Sequence, residues 1–151
     1  GFNQTLAALT MSMLLFTGVI GQLVGGYLTD MIGSRRMLLF AFGMVVIGLL
    51  TIQLGKYNFI ITTLGMLIYG FSFYAYQPPS TALLSEITNN QTMGMAYGIF
   101  FFLNFGLGSL STPMTGSIGK TFGLEAAYWI LTVIAILTLA IVYIIFKETH
   151  Q

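Results

Sequence analysis

The chain has 151 residues, 56% of them hydrophobic and only 6% charged, with five Lys or Arg against four Asp or Glu and a formal net charge of +1. So few charges cannot keep this much apolar side chain in water, and so short a chain has too little interior to hide it, so the solvent is lipid. A phosphate-binding surface needs clustered Lys and Arg, which argues against nucleic acid as a partner. The lack of cysteine excludes disulfides, thiolate metal sites and cysteine nucleophiles.

Five stretches, at about 4–28, 36–54, 59–78, 93–113 and 126–146, are apolar enough and long enough to cross roughly 30 Å of hydrocarbon as helices. None alternates as a strand would, so an all-α membrane protein is predicted. The first stretch opens on GFNQTLAAL without Met, which reads as a segment of something longer. It lacks the basic start of a secretory signal. Its Gly21-xxx-Gly25 pair puts small residues on one face, suited to close helix contact. The passage GGYLTDMIGSRR (25–36) then gathers the only aspartate, Asp30, and the only arginines, Arg35 and Arg36.

The second stretch, MLLFAFGMVVIGLLTIQL, is apolar almost all round and is expected to face lipid, as is the fifth. In the third, Thr62, Gly65, Tyr69, Ser72 and Tyr76 share one helical face, and PPS bends a helix that can run on through ALLSEI. In the fourth, Tyr97, Asn104, Gly108, Ser111 and Thr115 line up, with a second close-contact pair at Gly94-xxx-Gly98. These polar faces are expected to look at protein or at a water-filled space. The fifth stretch ends in FKETH, and the only histidine, His150, lies in that tail.

With loop 29–35 in the cytoplasm, Arg35, Arg36 and Lys147 fall on that side and Lys56 and Lys120 on the other, a slender positive-inside bias that sets the expected orientation. Shifting the chain by ninety places lays Gly18 over Gly108, Gly26 over Gly116 and Gly33 over Gly123, with Asp30 opposite Lys120. Three crossings separate the copies, so they run opposite ways through the membrane, as in the inverted repeats of many secondary transporters. The second copy has three helices and the first has two, so one helix is expected to be missing from the front.

Gly26-xxx-Asp30-xx-Gly33-x-Arg35-Arg36, set between two membrane helices, resembles the signature loop of the major facilitator superfamily. Met31 departs from the basic residue often found there. A second segment, with Glu86, Asn89 and Gly94, is similar to another loop of that family, though Asn89 stands for its proline and Met93 for its arginine. The resemblance implies five transmembrane helices of a six-helix half-bundle, the carboxy-terminal half lacking its first helix (helices eight to twelve) being favoured over helices two to six. It implies a solute carrier with a cavity between its halves, working by alternating access. It also implies that Asp30 faces a helix N-terminus of the other half and that Arg35 and Arg36 reach an acidic residue, for which Glu86 is the local candidate. Gly26, Asp30, Gly33, Arg35, Arg36 and Glu86 are thus the expected gate, the other reading being a charge cluster that only fixes orientation.

An enzyme would need a nucleophile–base pair or metal ligands within the membrane, and no carboxylate or histidine falls inside a span. No catalytic residue, metal or cofactor is expected. The competing function is a non-transporting membrane receptor or scaffold on the same fold. Tyr69 and Asn104 fall near mid-membrane, the depth of transporter binding sites, so Tyr69, Ser72, Tyr76, Asn104 and Ser111 are the candidate substrate-binding residues. The alternative for them is a Tyr69–Asn104 hydrogen bond that joins two helices. The lack of fixed charge points to a neutral or amphipathic solute, with the lipid bilayer and the other half of the transporter as further partners. A multi-pass location in the cell membrane is expected.

Overall fold

The computed structural model describes residues 4–148, and His150 lies outside them. Seven α-helices and one π-helical turn make up five membrane-spanning rods: α1 (Gln4–Ile32), α2 (Ser34–Leu54), α3 (Phe59–Ala75) with α4 (Gln77–Ile87), α5 (Met93–Phe101) with the π turn (Phe102–Leu107) and α6 (Gly108–Phe122), and α7 (Leu124–Glu148). The fold is all-α, as the composition requires. The rods are longer than the stretches read from hydropathy. The first and fourth run on to Ile32 and Phe122, because the chain stays helical through Asp30 and Lys120 until a glycine stops it.

Those two stops are alike. Gly33 has φ 88°, ψ 152° and Gly123 has φ 87°, ψ 154°, and they are the only positive-φ residues among those described. That region is open to glycine and closed to side chains. The two glycines stand ninety residues apart. Gly33→Ala and Gly123→Ala should each cost about 1–3 kcal/mol, seen as similar drops in melting temperature. An unchanged melting temperature for either would mean that its backbone does not need glycine.

A second correspondence involves contacts. The Arg35 guanidinium lies 5.8 Å from the centre of the Phe146 ring. Moving Arg35 forward ninety places gives Glu125, and moving Phe146 back ninety gives Lys56. These two form the one ion pair among the described residues. The start of α2 against the end of α7 is therefore matched by the start of α7 against the end of α2, as a twofold axis in the membrane plane demands. At that second contact, the Glu125 carboxylate beside it raises the Lys56 pKa.

The packing centres on the third rod. A β-carbon added at Gly21 would clash with the carbonyl oxygen of Phe71, and one at Gly25 would lie 2.6 Å from that of Ala75. The Gly21-xxx-Gly25 face therefore lets α1 rest backbone to backbone on α3. A β-carbon added at Gly94 or Gly98 would meet no other part of the structure within 4 Å, so the expected close contact there is not made within these rods. The second rod also departs from expectation. Its apolar circumference led to a lipid-facing reading, yet Met37, Leu38, Ala41, Val45, Leu49 and Ile52 are buried, and α2 packs on both α3 and α7. Gln53 Nε2 donates to Thr132 Oγ1 at 2.6 Å, tying α2 to α7.

Pro78 and Pro79 separate α3 from α4. They cannot donate to the carbonyls of Tyr74 and Ala75, so the rod bends at Tyr76. Asn58 caps the start of α3 by accepting from the N–H groups of Ile60 and Ile61 at 3.0 and 3.4 Å. The fourth rod stands apart. Its backbone approaches only α4 and α7, and none of its residues is buried.

Candidate functional site

Both irregular rods break at the same place in the bundle. The third bends at Tyr76, and the fourth widens into a π turn at Phe102–Leu107. Such turns mark sites where helical geometry gives way to another demand. Here the Asn104 amide is drawn in two directions. Its Nδ2 donates to the Phe100 carbonyl at 3.1 Å, and its Oδ1 accepts from the Tyr76 hydroxyl at 3.1 Å. One turn of the fourth rod is thus pinned to the bend of the third. A second bond, Tyr97 Oη to the Thr81 carbonyl at 2.9 Å, ties α5 to α4 on one side of that point.

Between these breaks lies a cavity of about 560 Å³. Its polar lining comes from Tyr76, Gln77, Asn104, Ser109 and Ser111, and its walls include Phe73, Phe101 and Phe105. Phe101 and Phe105 stack at 5.9 Å, and Phe73 meets Tyr76 edge-on at 5.6 Å. Aromatic walls with a few converging neutral hydrogen-bonding groups suit an uncharged or amphipathic small molecule. Among the described residues no group of His, Asp or Glu is placed to hold a metal ion.

Of the five candidate binding residues, the structure brings three together here: Tyr76, Asn104 and Ser111. Tyr69 lies elsewhere, on a cavity of about 430 Å³ between α1, α2, α3 and α7 that also includes Thr10 and Tyr128. Ser72 is buried and donates to the Ile68 carbonyl of its own helix at 2.6 Å. The expected Tyr–Asn bond exists, but Tyr76 makes it and Tyr69 does not. Gln77 and Ser109 escaped the sequence reading. A glutamine immediately before Pro-Pro, at a bend within a membrane rod, was the available signal for the first.

The loop residues sit at the opposite end of α1 from Gln4. Asp30 and Arg36 are exposed, and Gly26 faces Pro78, whose Cβ would be 3.9 Å from an added β-carbon. Glu86 does not pair with an arginine. Its Oε1 accepts from Ser34 Oγ at 2.6 Å, while Arg35 turns to Phe146. Residues 34 and 35 point about 100° apart on a helix, so only one of them can address the end of α4.

Two comparisons with known proteins are silent: no curated protein and no solved structure matches the chain. A third is not. The family model described as Major Facilitator Superfamily matches residues 1–151.

Proposed function

The chain belongs to the major facilitator superfamily, a family of membrane transporters, and from that premise we propose that it forms five helices of a six-helix half that moves a small solute by alternating access. The observation that carries this is the Tyr76–Asn104 bond between two interrupted rods beside an aromatic-walled cavity. A structure that only had to stay closed would not need both rods broken at one depth. Breaks there give each rod a place to flex, and the cavity a way to change shape. Gln77, Asn104, Ser109 and Ser111 supply neutral donors and acceptors for the solute, and no fixed charge lines that cavity.

The inverted repeat supports a sixth helix, the twofold counterpart of the third rod. Its seat follows from the same axis. Gly18, Gly21 and Gly25 carry α1 onto α3, and their counterparts ninety places on are Gly108, Ser111 and Thr115, a face of the fourth rod that borders the cavity at Gly108 and Ser111. The carboxy-terminal half is the better assignment, with the other half of the transporter closing the cavity. Asp30, at the end of α1, is the gate residue: an anion there is favoured by a facing helix N-terminus in one state only.

The absence of cysteine allows a test that needs no known solute. Ser109→Cys, placed mid-membrane on the cavity, should react with membrane-impermeant maleimide applied from either side of sealed vesicles, as alternation requires. Asp30→Asn should shift the ratio of the two labelling rates by about fivefold, the scale of one charge at a helix terminus. A solute that protects Ser109→Cys should lose that protection when Asn104 is also alanine. Labelling from one side only would favour a receptor or scaffold.

A further inference from the structure

The twofold axis makes the two ends of the α2–α7 pair directly comparable, and they differ in charge. At the outer end the contact is neutral within itself: Lys56 pairs with Glu125 and lies 4.9 Å from the Tyr57 ring centre. At the inner end Arg35 takes the place of Glu125, Phe146 that of Lys56, Lys147 that of Tyr57 and Arg36 that of Ala126. Arg35 meets Phe146, 5.8 Å from the ring centre, where Glu125 meets Lys56, but three cations occupy these positions and no acid does. The acids at this end are otherwise engaged or placed. Glu86 takes the Ser34 hydroxyl, Asp30 closes α1, and the side chain of Glu148 lies outside those described. No ion pair among the described residues involves Arg35, Arg36 or Lys147.

The surroundings are those of a lipid. The first-turn N–H groups of α2, on Ser34 to Arg36, have no acceptor further down the helix and add positive potential. Exposed apolar side chains run away from this end along both helices, Phe40 and Ile47 on α2 and Ile141 and Ile144 on α7. We propose that Arg35, Arg36 and Lys147 form a binding site for the phosphate headgroup of an anionic phospholipid, whose acyl chains lie along the α2–α7 pair. Basic groups between helices at the membrane surface bind such headgroups, and Arg offers a paired donor set that fits phosphate oxygens. The lipid supplies the charge that Glu125 supplies at the other end. This reading does not depend on transport.

Native mass spectrometry of the full-length protein, in detergent with equal phosphatidylglycerol and phosphatidylethanolamine, tests it. The wild type should retain phosphatidylglycerol preferentially. Arg35→Gln, Arg36→Gln and Lys147→Gln should each weaken that retention about fivefold. The paired Lys56→Gln, Glu125→Gln protein should retain it normally, and Arg35→Lys with Arg36→Lys, which keeps the charge but not the paired donors, should retain it better than either arginine-to-glutamine variant. Should the arginine variants fail to fold, Lys147→Gln at the exposed helix end carries the test alone. Equal retention of the two lipids, an undiminished Lys147→Gln, or displacement of the lipid by excess inorganic phosphate would each overturn a lipid site.

Discussion

Replacing Gly21 by leucine should prevent the bundle from assembling. A β-carbon there would clash with the Phe71 carbonyl oxygen and lie 2.8 and 2.9 Å from the Phe71 C and Cα atoms. Those are main-chain atoms in the middle of α3, and no side-chain rotation can remove them. The whole of α1 would have to move outward, taking Gly18 off Tyr74 and Gly25 off Ala75. In lipid that loss has no hydrophobic compensation, because tails are as apolar as the core and helix association rests on packing. Overfilling a packed site costs about 1–3 kcal/mol, and more where backbone is struck. Gly43→Leu is the control, since nothing lies within 4 Å of an added β-carbon there. Purified Gly21→Leu should elute as aggregate or melt far below wild type, with Gly43→Leu unchanged. Equal melting of the two would mean that α1 and α3 are not in backbone contact.

The glycine pattern was readable because a small residue every fourth position has few uses other than close approach. Charge and Gly together marked where the rods end, at Gly33, Gly55 and Gly123, but the charged residues beside Gly33 and Gly123 lie in helix and not in loops. The role of α2 was not readable. Apolar side chains suit lipid and protein equally, so a helix apolar all round gives no sign of which face is covered, and Met37 and Leu38 look no different in sequence from Phe40. The polar stripe of the third rod misled for two separate reasons. Hydroxyls in a helix can bond the carbonyl four residues back, as Ser72 does to Ile68, so Ser72 needs no water or ligand. And Tyr69 and Tyr76 share a face, both meeting Phe73, but seven residues set them about 10 Å apart along the rod, and only Tyr76 is level with Asn104. The π turn at Phe102–Leu107 does break the period in the fourth rod. Sequence periodicity assumes an unbroken helix, and both rods are interrupted beside the Tyr76–Asn104 contact.

Ser111→Leu should be as damaging in the full-length carrier as Gly21→Leu, although nothing in residues 4–148 covers it. Ser111 is the twofold counterpart of Gly21, and Gly108, with nothing within 4 Å of an added β-carbon, is that of Gly18. The axis relating them is fixed by features far from this face: the paired φ and ψ of Gly33 and Gly123, and the exchange of Arg35–Phe146 for Glu125–Lys56. If the sixth helix meets the fourth rod as α3 meets α1, Ser111 lies against its backbone and a leucine there costs about 1–3 kcal/mol or more. Leu110→Phe, one residue round the helix and exposed, should cost nothing measurable. Thermal melting of both variants decides the point. A full loss with Ser111→Leu and none with Leu110→Phe places the sixth helix on this seat. If Ser111→Leu melts like wild type but abolishes solute protection of Ser109→Cys, Ser111 serves the cavity alone, and the sixth helix docks on another face.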